Sequence, residues 1–90
     1  MTQTFYKEQV DVVEELIDIK SLIVHNDDVN TFDWVIEALM DICEHTLEQA
    51  EQCSILIHYK GRASVKNGSL NELKPLKQAL LDRTISVTIE

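Results

Sequence analysis

Two short segments, Thr46-Leu47-Glu48-Gln49 and Ser69-Leu70-Asn71-Glu72, have the form of capping boxes. In such a box a hydroxyl at the helix N-cap accepts from a backbone N–H three residues on. The Gln or Glu at that third position reaches back to the N-cap backbone. Two helix starts are thereby fixed, and the segments before them must end there. A third start lies upstream, where Asn30 is expected as the N-cap, Thr31 as the first helical residue and Asp33 in the first turn. The chain is committed to three helices, and its leftover apolar runs must supply strands.

Apolar spacing fills in the rest. Phe32, Val35, Ile36, Leu39 and Cys43 fall on one helical stripe, with Trp34 beside it near Ala38. In the second helix Leu47, Ala50, Ser54 and Ile57 form the expected inner face, with Cys53 and His58 at its margins, and Gly61 supplies the stop. Leu73, Leu76 and Leu80 carry the third helix. Pro75 sits beyond its free first-turn amides, so a kink or a late start is expected there. Leu22-Ile23-Val24 reads as a strand entering the Asn26-Asp27-Asp28 turn, and Arg62 to Lys66 as a second strand. Ile85, Val87 and Ile89 alternate with Thr84, Ser86 and Thr88, the pattern of a strand with one buried face. The order is β-α-α-β-α-β. The simplest layering is a small α+β sandwich, a three-stranded, mostly antiparallel sheet packed on three helices. The weakly periodic residues 1–18 are expected to form a flexible acidic tail, and residues 19–90 the folded domain.

Composition excludes several functions. With 90 residues there is room for one domain, and with 2 Gly there is no glycine-rich phosphate loop. The net charge of −8 is uneven: residues 1–51 carry −11 and residues 52–90 carry +3. Nucleic acid and anionic lipid would be repelled, whereas a cationic ligand fits. Most of this acidity is read as a solubility feature. No apolar run approaches the ~20 residues of a membrane span. Met1 to Tyr6 lacks a basic start followed by an apolar stretch, so a cytoplasmic monomer is expected. Cys43 and Cys53 are expected as free thiols packed in or beside the core, and His45 as part of the turn between the first two helices.

Enzyme motifs are scarce: no HExxH, CxxC or GxSxG occurs, and neither a metal site nor a cofactor is expected. A hydrolase built on His58 with Asp28 would lack a nucleophile and an oxyanion loop. Asn26-Asp27-Asp28 is a turn-forming sequence, and a plain turn is one reading of it. It also lies at the rim between the sheet and the first helix, which His58 can reach from the end of the second. Amide and carboxylate oxygens there could clasp a primary ammonium. Phe32, Val35, Ser54 and Ile57 point toward the adjoining gap, where ordinary core is the plain reading. Ser54, small and polar on an apolar stripe, leaves space and a hydroxyl where a core would hold bulk. An apolar slot beside cation acceptors suits an apolar side chain that carries an ammonium.

These segments resemble the ClpS family of Clp-protease adaptors. The likeness is carried by Asn26-Asp27-Asp28-Val29-Asn30-Thr31-Phe32, Trp34-Val35-Ile36, Glu48-Gln49-Ala50, His58-Tyr59-Lys60-Gly61-Arg62-Ala63 and Thr88-Ile89-Glu90. It runs from about Lys20 to the end. The resemblance implies a small α/β sandwich behind a flexible tail, and a non-enzymatic adaptor. Such an adaptor binds proteins that begin with a bulky hydrophobic residue (hydrophobic N-degrons) and delivers them to a Clp AAA+ unfoldase. It implies that Asn26, Asp28 and His58 hold the substrate's α-amino group, with Asp27 in support. It places the first side chain among Asn30, Phe32, Val35, Ser54 and Ile57. The chain departs from the family where Asn30-Thr31 replaces a common Thr-Pro, and where Phe32 and Ser54 each replace a Met. Glu72 and Lys77 match an acid and a lysine of the contact with the unfoldase's N-terminal domain, and the tail would engage the unfoldase during delivery. The altered pocket motivates an alternative, in which the domain modulates the unfoldase or tethers a different degron.

Overall fold

The run Leu22-Ile23-Val24 becomes the centre of the sheet. The structure is a computed structural model that describes residues 18–90. Its strands are β1 (Lys20–His25), β2 (Arg62–Gly68) and β3 (Val87–Ile89), and its helices are α1 (Phe32–Cys43), α2 (Leu47–Lys60) and α3 (Leu70–Asp82). The sheet order is β2-β1-β3, and both pairings are antiparallel. The expected element order and layering are found. The expected tail lies, apart from Asp18, outside the described residues.

Alternation along β1 sorts its side chains. Leu22 and Val24 enter the core with Val65, Val87, Leu39, Leu73 and Leu80. Ile23 points the other way, between its cross-strand partners Ser64 and Thr88. The β1–β2 register slips between Leu22 and Ile23, so Val65 has no partner opposite it. His45 takes up that carbonyl, its Nε2 donating to Val65 O at 2.6 Å. The histidine between the two helices therefore ties their turn to the bulge.

Both capping boxes form as read. Thr46 accepts from Gln49 N–H and Ser69 from Glu72 N–H, with the reciprocal bonds in place. Since α3 starts at Ser69, the late start expected from Pro75 does not occur. The helix runs on through Pro75, whose neighbourhood is exposed, so water can satisfy the carbonyl of Asn71 that the ring leaves unpaired. Strand β2 continues two residues past Lys66. Strand β3 is shorter than its alternation, and Ile85 is buried ahead of it.

Three expectations are corrected. The N-cap of α1 is Thr31, whose hydroxyl accepts from Trp34 N–H at 3.1 Å; Asn30 is drawn into other bonds described below. Leu47, expected inside, is 52% exposed; it is the first residue of α2, and the buried face of the helix begins only at Ala50. Phe32, expected on the core stripe, is 42% exposed; it is the first residue of α1, and its ring meets His58 rather than the core. Cys43 is buried and Cys53 packs against the core, both as free thiols. Burial pushes the Cys43 thiol up to about 11, against a partial opposing pull from Lys66.

Candidate functional site

Strand pairing brings the site together. His25, the last residue of β1, lies opposite Arg62, the first of β2. One residue beyond, Asn26 N–H donates to Gly61 O at 2.8 Å. Gly61 closes α2 with φ 89°, and its N–H returns to Ile57 O. A left-handed residue at this point reverses the chain into β2, which favours glycine. The Asn26-Asp27-Asp28 turn is thus fastened to the end of α2, and His58 comes beside it.

Asp27 shapes the turn. Its carboxylate accepts from Val29 N–H at 3.0 Å, Asn30 N–H at 2.9 Å and Asn30 Nδ2 at 2.9 Å. Burial works against its ionisation, but these donors together outweigh it and hold the carboxyl below its usual range. Asn30 passes the constraint on, since Nδ2 also donates to Thr84 O at 2.8 Å. Thr84 stands in the left-handed region at φ 62°, a costly place for a β-branched residue. Trp34 holds the same loop by donating from Nε1 to Arg83 O at 3.0 Å, with the Arg83 guanidinium 6.0 Å from its ring centroid. Arg83 also pairs with Asp41 on α1. Nothing in the sequence signals this Arg83-Thr84 latch. Its bonds run between residues about fifty positions apart, and Thr84 is a poor choice for its backbone angle.

A cleft of about 310 Å³ opens between this turn, the start of α1 and the end of α2. All nine residues expected for the α-amino and side-chain sites line it: Asn26, Asp27, Asp28, His58, Asn30, Phe32, Val35, Ser54 and Ile57. Thr31 lines it too and was missed, because as a helix start it reads as local structure alone. Exposure grades the cleft. Ser54 and Ile57 are buried and form its floor, with half-buried Val35 beside them. Asn26, Asp28, Phe32 and His58 are exposed and form its rim. The Phe32 ring stands edge-on to His58, with centroids 6.3 Å apart and planes at 76°. Among the described residues, the side chains of Asn26, Asp28 and His58 have no hydrogen-bond partner, whereas those of Asp27 and Asn30 are committed. Glu72 and Lys77 lie on α3, away from the cleft. Five residues apart, they are about 140° apart around the helix, and the Glu72 carboxylate is engaged with Ser69.

A family model described as ATP-dependent Clp protease adaptor protein ClpS matches residues 20–86. The chain belongs to the ClpS family. Among curated relatives, the ClpS adapter protein of Campylobacter jejuni strain 81-176 is 50% identical over 40 residues, 44% of this chain and 42% of the relative. That of Edwardsiella ictaluri is 36% identical over 63 residues, 70% of this chain and 58% of the relative. That of Streptomyces coelicolor is 34% identical over 58 residues, 64% and 60% respectively. The chain therefore matches these ClpS relatives over about half of their length. Among solved structures, Agrobacterium tumefaciens ClpS2 bound to L-phenylalaninamide superposes with TM-score 0.74 at 18% identity. The match covers 81% of this chain and 95% of that one, which shows the shared ClpS fold.

The described residues contain no group of three or more His, Cys, Asp or Glu placed to hold a metal. They also contain no helix long and apolar enough to cross a membrane.

Proposed function

We propose that this ClpS-family chain is an adaptor that binds proteins by a free N-terminus with a bulky hydrophobic first residue and delivers them to a Clp AAA+ unfoldase. The observation that carries this reading is one juxtaposition. Three uncommitted polar side chains, Asn26, Asp28 and His58, surround the mouth of a cleft whose floor and walls are Ile57, Val35 and Ser54. An α-amino group is an ammonium found only at a chain end, so a clasp of this kind beside an apolar slot reads chain ends. Asp28 offers the carboxylate, Asn26 an amide oxygen and His58 a ring nitrogen. Asp27 acts through the turn it organises. L-phenylalaninamide, the ligand of the Agrobacterium ClpS2, combines a free α-amino group with an apolar side chain.

The magnitudes are sufficient. A hydrogen bond to a charged group contributes about 1.5–3 kcal/mol. Burial of a large apolar side chain contributes about 1.5–3 kcal/mol more. After ordering costs, a few such terms support micromolar binding. The partner surface is the N-terminal domain of the unfoldase, met through α3 at Glu72 and Lys77, on a cytoplasmic, monomeric adaptor.

The test compares a peptide that begins with Phe with its N-acetylated copy. The free peptide is expected to bind and the acetylated one to lose at least tenfold. Equal affinity would refute the ammonium clasp. Asn26→Ala and His58→Ala are each expected to weaken the free peptide while leaving thermal unfolding within a few degrees of the parent.

A further inference from the structure

Most of the cleft floor is apolar, with one exception. Ser54 is 3% exposed, yet it lines the cleft together with Ile57 and Val35. Its hydroxyl finds no hydrogen-bond partner among the described residues. Serine inside a helix ordinarily returns its hydroxyl to a carbonyl one turn back, which would satisfy it within the helix. Here that bond is not made, and an orphaned, buried hydroxyl is left in the lining of a site.

We infer that the cleft selects tyrosine over phenylalanine as the first residue of a bound chain, through a hydrogen bond between the Ser54 hydroxyl and the phenol. This rests on the N-terminal recognition proposed above and specifies its substrate class. The placement supports it. Ser54 and His58 are one turn apart on α2, about 6 Å along the axis. That is close to the reach from an α-carbon to the far end of a tyrosine side chain. An ammonium held at the rim by Asn26, Asp28 and His58 therefore brings the para position of an aromatic ring toward Ser54. The phenol also matches the chemistry, since both hydroxyls donate and accept. A charged side-chain end would be stranded among Val35, Ile57 and Phe32.

A net hydrogen bond of this kind corresponds to about two- to tenfold in affinity. A site that offers a polar partner discriminates against the ligand that lacks one. The experiment measures, with the full chain, fluorescence anisotropy for three labelled peptides that differ only at the first residue: Tyr, Phe and 4-methylphenylalanine. The last fills the space of tyrosine without a hydroxyl. The Tyr peptide is expected to bind about two- to tenfold tighter than both others, and Ser54→Ala to bring the three within twofold by weakening Tyr alone. Binding of 4-methylphenylalanine as tight as Tyr overturns the hydrogen bond and leaves only shape. Tyr binding no tighter than Phe, or an unchanged Tyr preference in Ser54→Ala, overturns the selection. Failure of all three peptides to bind overturns the recognition itself, and so is told apart from equal binding by all.

Discussion

Replacing Asp27 by Ala removes the acceptor of three N–H donors at once: Val29 N, Asn30 N and Asn30 Nδ2. The turn is partly exposed, so water recovers some of each bond. Allowing about 1 kcal/mol for each, the loss is about 2–3 kcal/mol. With a urea slope near 1 kcal/mol/M, the unfolding midpoint falls by about 2–3 M. The pH dependence provides a second signature. Asp27 ionises more readily in the folded chain than at its ordinary value of 3.8, so its contribution is fully present above that value. It is lost as pH falls through the lowered folded value, where the carboxyl takes up a proton. The gap between parent and Asp27→Ala should therefore be flat from pH 7 to about 5 and narrow as pH falls below 4. Urea titrations at pH 7, 5, 4 and 3 measure it. Asp27→Asn keeps an acceptor but no charge, so it should fall between the two and lose the acid-side slope. A gap at pH 7 under about 0.5 kcal/mol, within the range of ordinary surface changes, would show that Asp27 does not organise the turn. A gap as large at pH 3 as at pH 7 would show that its charge is not what matters.

Other outcomes follow from the same structure. Gly61→Ala places a Cβ in open space but on a backbone at φ 89°, so a loss of about 1–2 kcal/mol is expected, read as a lower melting temperature. Thr84→Gly should relieve the left-handed strain and leave the melting temperature unchanged or raised; a large drop would mean the threonine side chain is essential to the latch. Cys43, with its thiol raised to about 11, should resist alkylation at pH 7 in the folded chain and react promptly in urea. Lys77→Glu, and separately deletion of residues 1–18, should leave peptide affinity within twofold while slowing degradation of a model N-degron substrate by the unfoldase–protease. Peptide affinity lost on deletion would place the tail in the binding site.

What could be read from the sequence divides by the range of the interactions. The capping boxes at Thr46 and Ser69 were legible because each is closed within four residues, by side chains whose only good partners are adjacent. The start of α1 was misplaced by one residue for the opposite reason. Asn30 and Thr31 are both good N-caps, and the choice between them is made by Asp27 and by Thr84, which lies 54 residues away. Phe32 and Leu47 sit on their helical stripes as read, but a stripe does not say how far along a helix its burial begins. Ser54 was legible as an oddity of composition, a small polar residue on an apolar face. Its lack of a partner required the helix to be built. The Arg83-Thr84 latch left no trace in the sequence, because the bonds that tie it to Asn30, Trp34 and Asp41 are tertiary.

The single bond from Asn26 N–H to Gly61 O has a kinetic meaning as well as a geometric one. It joins two halves of the cleft separated by 35 positions along the chain, so the loop between them must close before either half has a counterpart. No fragment carrying one half is a weak version of the whole. In folding, the recognition surface arrives with the central strand pairing and not before it. In the native state, a fluctuation that parts β1 from β2 carries the Asn26-Asp27-Asp28 turn away from His58 and the floor on α2 in the same event. Exchange of the Asn26 amide with solvent deuterium should therefore be as slow as global unfolding, and the loss of peptide binding on heating should coincide with it. A cleft arranged this way is whole only while both segments stay paired.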